Sequence, residues 1–215
     1  MTLELGVLIS GRGSNLGAIL DATAERRLDA RVRLVVSNRA DAAGLERARL
    51  AGVATAVVDH KAHPDRESFD RALVRLFCAA GVDWLVLAGF MRIVTGTLLS
   101  AFPDRVVNIH PALLPAFPGV DAQAQAIAYG VRVTGCTVHL VNEGVDTGPI
   151  LAQSIEPVLP TDTRDTLAAR LLPREHDLLV RALGWIADGR LTVHRAPASG
   201  ARPEIELRGV DPLVR

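Results

Sequence analysis

The chain has 215 residues, 49% of them hydrophobic and 22% charged, which is enough apolar sequence for a substantial core and too much for a disordered polyelectrolyte. Lys plus Arg (24) balances Asp plus Glu (24), so a strongly basic nucleic-acid binder is excluded and no nucleic-acid partner is expected. The longest run free of Asp, Glu, Lys and Arg, Val106 to Val120, is broken by Pro111, Pro115 and Pro118 and is too short to span a bilayer, so no membrane partner is expected.

Short apolar runs alternate with amphipathic ones as far as Phe90, as parallel strands and crossover helices do. The pattern predicts a strand over Leu3–Ile9, a helix over Leu16–Glu25, a strand over Arg31–Val36 and a helix over Ala42–Ala51. A strand over Ala54–Val58 follows, then a helix over Asp65–Ala80 with Phe69, Leu73 and Leu76 on one face, and a strand over Trp84–Ala88. Between Gly89 and Gly148 the texture changes: Gly, Pro, Asn and His gather around short strands near Val106–Ile109 and Thr134–Val141. Ile150–Val158 reads as a strand, and Asp162–Ile186 as a helical stretch that Pro173 bends or restarts. Leu191–His194 precedes a tail containing Pro and Arg. The expected fold class is α/β, a single domain with a mostly parallel twisted sheet flanked by helices.

Met1-Thr2-Leu3-Glu4 lacks the basic start of a signal peptide, so a cytoplasmic enzyme is expected. Cys78 and Cys136 each stand alone in apolar sequence and read as core thiols. His60, His63 and His194 form no ligand set with their neighbours, and no metal is expected. Lys61 is the single lysine, which leaves one candidate for Schiff-base chemistry and none for a Walker lysine.

Three segments carry chemistry. Ser10-Gly11-Arg12-Gly13-Ser14-Asn15 joins a strand to a helix, where glycines allow close approach and helix N-terminal amides favour an anion such as phosphate. A dinucleotide fingerprint would need Gly where Leu16 stands, so a Rossmann cofactor is not expected. The segment reads equally well as a plain turn with Ser14 or Asn15 capping the helix. Asn108-Ile109-His110-Pro111 ends a short strand, with an amide and an imidazole on one side that could stabilise an oxyanion; a loop histidine beside a turn asparagine is the plainer alternative. Asn142-Glu143-Gly144-Val145-Asp146-Thr147-Gly148-Pro149 could place Asp146 against His110, or be an ordinary Asx-type turn. His139 within a strand reads as a packing residue, and Glu175-His176 as a solvated pair.

Together with Leu87-Ala88-Gly89-Phe90-Met91-Arg92 and the run from Asn108 to Pro115, these segments resemble the phosphoribosylglycinamide formyltransferase (glycinamide ribonucleotide transformylase) branch of the folate-dependent formyltransferase family, from Leu5 to about Arg190. The resemblance implies a formyltransferase-like, Rossmann-related fold. It also implies formyl transfer from 10-formyltetrahydrofolate to the amine of glycinamide ribonucleotide in purine synthesis, without a metal. It makes Asn108, His110 and Asp146 the catalytic trio and assigns Gly13, Ser14, Asn15 and Glu175 to the nucleotide. Arg66, Met91, Arg92, Ile93, Val94, Asn142, Glu143, Gly144 and Val145 fall to the folate. The implied organisation is a formyltransferase domain over 1–190, with a nucleotide-phosphate half of about 1–89 and a folate and catalytic half of about 90–190. Residues 191–215 would form a C-terminal strand and tail. A homodimer is left open.

Two related activities rank lower. 10-Formyltetrahydrofolate hydrolase generally carries an extra N-terminal domain, and methionyl-tRNA formyltransferase a C-terminal RNA-binding domain. The chain departs from the family pattern at Asp121, where His is common. An ionised Asp121 near His110 would favour the imidazolium.

Overall fold

The computed structural model describes residues 2–194 and 203–214. They fall into two compact units, Met1–Asn108 and Ile109–Arg215. The fold class is α/β, with mostly parallel strands flanked by helices, as expected.

The first unit is built in the order β1 (Leu3–Ile9), α1 (Ser14–Ala24), β2 (Ala30–Ser37), α2 (Ala43–Leu50) and β3 (Ala54–Val57). A short 3-10 turn (His60–Ala62) leads to α3 (Arg66–Ala79), β4 (Trp84–Leu87), α4 (Gly96–Ala101) and the start of β5 (Val106–His110). The strands are parallel in the order β5-β4-β1-β2-β3. Leu5, Val7, Leu8 and Ile9 are wholly buried, as expected of a central strand covered on both faces. Gly6 interrupts that run because a Cβ there would sit 2.6 Å from the Phe77 ring. β1 lies between β2 and β4, so the chain changes direction of winding there. That switch point opens a crevice at the carboxyl ends of β1 and β4, where the Ser10–Asn15 loop and the segment after Gly89 begin.

The predicted elements of this unit occur with ends moved by one or two residues, and α4 is an addition. On α3 the core face is Phe69, Leu73 and Phe77, an i, i+4, i+8 stripe, rather than one ending at Leu76. Cys78 therefore turns outward and is exposed, contrary to its expected place in the core, whereas Cys136 is buried.

The second unit takes the end of β5 into α5 (Ala122–Tyr129), β6 (Val133–Leu140), β7 (Ile150–Pro157) and α6 (Arg164–Ala187), then β8 (Leu191–His194), β9 (Glu204–Leu207) and β10 (Leu213–Val214). β6 and β7 are antiparallel, and β10 adds to β7 in parallel. The expected tail instead supplies two further strands, β9 pairing with β8 across Leu191 and Leu207. Its residues 195–202 lie outside the described residues.

Pro173 does not interrupt the late helix as expected: α6 runs through it for 24 residues. A proline removes one backbone donor and strains a single turn. Here Leu167, Leu171, Leu178, Leu179, Ala182 and Leu183 bury an apolar stripe on both sides of Pro173, with Glu175 the buried polar residue within it, and Thr163 with Thr166 closes a capping box at the N-terminus. Tertiary burial of that stripe outweighs the local penalty.

Candidate active site

In the first unit the Ser10–Asn15 loop leaves β1 and turns into α1 through Gly13, which has φ 67° and is the N-cap; neither Ser14 nor Asn15 supplies a capping bond. Ser14 opens the helix and Asn15 is buried. Gly13 is required twice over, because a Cβ there would also lie 2.7 Å from the Gly44 Cα. At Gly11 the same Cβ would meet nothing within 4 Å, so this part of the loop is open. On the other strand of the crevice, Met91 and Ile93 are exposed, Arg92 is half-buried and Val94 is buried. Arg66 is exposed at the first turn of α3, and Asn108 is half-buried on β5, two residues before His110.

In the second unit His110 is buried at the end of β5, and its two nitrogens have different partners. Nε2 lies 2.8 Å from the Phe117 carbonyl oxygen and Nδ1 lies 3.3 Å from Asp146 Oδ2. A carbonyl can only accept, so Nε2 carries the proton. His139 mirrors this arrangement: Nδ1 donates to the Leu140 carbonyl at 2.9 Å, and Nε2 lies 3.6 Å from Asp146 Oδ1. Asp146 thus stands between two buried rings, each of which is attracted to it once doubly protonated. The Gly119 N–H completes its surroundings by donating to Oδ2 at 2.7 Å. His139 is buried with Nδ1 satisfied by the Leu140 carbonyl, and its other nitrogen adds it to the surroundings of Asp146. The sequence signal for it was adjacency: β6 feeds directly into the loop that carries Asp146.

Burial pushes the His110 pKa down, against the Phe117 carbonyl and Asp146, which favour the charged ring; His139 opposes that charge. Burial pushes Asp146 up, but the neighbouring His139, the bond from the Gly119 N–H and the charge of His110 outweigh it and hold the carboxyl below its ordinary range. The result is a carboxylate held ionised beside a ring whose charged form burial disfavours.

Two loops build this cluster. From Phe117 to Asp121 the chain passes through left-handed conformations at Phe117 (φ 55°), Gly119 (φ 82°) and Asp121 (φ 57°). Such a conformation is uncommon for a bulky residue such as Phe. The Phe117 ring is held edge-on against Tyr129 of α5, with centroids 5.8 Å apart, which fixes the carbonyl facing His110. In the second loop the Asn142 side chain accepts from the Gly144 N–H (3.2 Å) and the Thr147 hydroxyl (2.9 Å), the Asx-type closure. Glu143 and Val145 are exposed, and Asp146 has φ 53°. A Cβ on Gly148 would lie 1.7 Å from the Leu140 carbonyl oxygen, so the close path needed by this loop depends on glycine.

Glu175 on α6 is buried and not a solvated residue; with burial as the larger cause, its charge helps push the Cys136 thiol up to about 12. Cys136 is therefore no nucleophile at neutral pH. Asp121 faces Arg164, whose Nε donates to its carboxylate at 2.6 Å, and the charges acting on His110 are those of Asp146 and His139. The expected influence of Asp121 on His110 gives way to this ion pair. Among the described residues no group of His, Cys, Asp and Glu could hold a metal, and no helix is long and apolar enough to cross a membrane.

A buried histidine facing a carboxylate at the end of a sheet strand is an arrangement that acid–base enzymes of the α/β class use. A family profile described as formyl transferase matches residues 4–183, so the chain belongs to the formyl transferase family. It is similar to the phosphoribosylglycinamide formyltransferase of Escherichia coli (strain K12), at 43% identity over 196 residues, covering 91% of this chain and 92% of that one. The trifunctional purine biosynthetic protein adenosine-3 of Drosophila pseudoobscura pseudoobscura is 46% identical over 190 residues. That match covers 87% of this chain and 14% of the fly protein, so the chain spans about one seventh of that relative's length. The crystal structure of glycinamide ribonucleotide transformylase 1 from Symbiobacterium toebii superposes with a TM-score of 0.90 at 50% identity, covering 96% of this chain and 94% of that one.

Proposed function

We propose that this chain transfers the formyl group of 10-formyltetrahydrofolate to the glycyl amine of glycinamide ribonucleotide, a step of purine synthesis. The observation that carries the reading is the half-buried Asp146, held ionised with a buried histidine facing each oxygen. Family membership and the names of relatives matched along nearly their whole length support the substrates.

In this reading the neutral amine attacks the formyl carbon, forming a carbon–nitrogen bond while the carbonyl oxygen becomes an oxyanion. The Nε2–H that His110 directs at the Phe117 carbonyl is the donor the oxyanion would take, with the Asn108 amide as a second. His110 acts in its protonated form, and Asp146 balances the charge that the ring carries throughout. The tetrahedral intermediate then breaks its bond to the folate nitrogen, which takes up a proton equivalent to the one lost by the amine. Gly13, Ser14 and Asn15 hold the phosphate and Glu175 the ribose. Met91, Ile93 and Val94 wall the pterin, Arg66 and Arg92 face the folate carboxylates, and the loop from Asn142 to Val145 closes on the donor. Residues 1–190 carry the activity, in the cytoplasm. A homodimer is tested by sedimentation equilibrium.

The deciding assay follows tetrahydrofolate release from 10-formyltetrahydrofolate with and without glycinamide ribonucleotide. Release that requires the nucleotide and matches formylated product supports transfer. Equal release without it would mean hydrolysis and defeat the proposal.

A further inference from the structure

Met91 and Ile93 are 69% and 51% exposed, yet the segment that displays them is tied at both ends by buried polar side chains. At its far end the Thr95 N–H and hydroxyl donate to Asp70 Oδ2 at 2.6 and 2.8 Å. At its near end the Met91 N–H donates to Ser10 Oγ at 2.8 Å. The Ser10 hydroxyl proton goes to Asn38 Oδ1 at 2.7 Å, which turns a lone pair towards Met91. The Asn38 amide is fixed in turn by donating to His60 Nδ1 at 3.3 Å. Ser10 and Asn38 are 7% and 5% exposed, so each bond is made where no water competes freely.

An asparagine that merely shaped the turn after β2 would bond its own backbone nearby. Asn38 instead directs its acceptor to a residue 28 positions away, at the root of the Ser10–Asn15 loop. Asn38 and His60 also help to line a cleft of about 490 Å³, so the chain of bonds ends at the wall of that cleft.

We propose that Asn38 is a positioning residue: by orienting the Ser10 hydroxyl it holds Met91 against the start of the Ser10–Asn15 loop and so sets binding of the formyl donor. This rests on the reading of Met91–Val94 as the donor side given above. Asn38 acts through Ser10, and the two form one unit.

The test is steady-state kinetics of Asn38→Ala, Ser10→Ala and the double variant. Each single change is expected to raise the KM for 10-formyltetrahydrofolate about 5- to 20-fold, the scale of a lost buried hydrogen bond, and to change the acceptor KM less than about twofold. The double variant should be no worse than the worse single one, because coupled residues are not additive. Additive losses, or equal losses in both KM values, would overturn the role and leave Asn38 as a support of the fold. Ile93→Ala separates the two readings. A raised donor KM there with none in Ser10→Ala overturns the positioning role alone; a wild-type donor KM in both overturns the donor reading and this role with it. If Asn38→Ala does not fold, hydrogen exchange on the unmodified protein decides: the Met91 amide should exchange slowly despite its exposed side chain, and fast exchange overturns the proposal.

Discussion

His110 Nδ1 and Asp146 Oδ2 lie 3.3 Å apart, with the opposite ring nitrogen of His110 committed to the Phe117 carbonyl. Beside the Phe117 carbonyl, Asp146 is the charged group that favours a positive ring. Asp146→Asn keeps the shape and removes the charge. It is expected to lower kcat by about 100- to 10,000-fold while changing acceptor affinity little, measured by turnover at saturation beside calorimetry. Near-normal turnover would remove Asp146 from the chemistry.

The pH dependence follows from the same pair. The His110 pKa is lowered by burial, so activity that needs the imidazolium falls as pH rises through that lowered value. Removing the Asp146 charge removes a force that favours the protonated ring. The alkaline limb of the residual activity in Asp146→Asn should therefore move to lower pH, once titration of the acceptor amine has been subtracted.

Asp146 has its own signature in stability. Its folded pKa is depressed, so its contribution is fully present above the ordinary carboxylate value near 3.8 and is lost as pH falls through the folded value. His139→Gln removes a cause of that depression. Its acid unfolding midpoint should lie at higher pH than that of the wild-type protein, and coincident midpoints would exclude His139 as a partner of Asp146.

Asp121→His tests the departure from the family pattern. Asp121 and Arg164 are both well exposed, so loss of their ion pair should lower stability slightly and less so at high salt. His tolerates the left-handed backbone about as well as Asp, so the change probes charge rather than strain. The pH profile of kcat should superimpose on that of the wild type; a shifted alkaline limb would show that residue 121 acts on His110.

Gly13 and Gly11 separate folding from phosphate binding. Gly13→Val places a branched side chain at φ 67° against Gly44 and should destabilise by roughly 2 to 5 kcal/mol whether or not phosphate binds there. Gly11→Ala meets no neighbour and should leave thermal stability nearly unchanged while raising the acceptor KM. An unchanged acceptor KM would move the phosphate site elsewhere.

The alternation of apolar runs and amphipathic stretches determined the first five strands and the three longer helices of the first unit, because periodicity is a local property of the chain. The sequence by itself also made Asn108, His110 and Asp146 candidates, since their residue types and spacing are written along the chain. Pairing was not. His139 read as a packing or satisfied residue because adjacency to the Asp146 loop does not by itself say that the loop folds back on it, a path that depends on Gly148 passing the Leu140 carbonyl. Whether Asp121 lies near His110 was left open by the sequence; the folded chain pairs it with Arg164 of α6, 43 residues away. Pro173 promised a break that the buried stripe of α6 overrode. Ser10 and Asn38 met through the parallel alignment of β1 and β2. In each case a local preference of a few kcal/mol or less met burial and partners from distant segments, and burial in the folded chain decided the outcome.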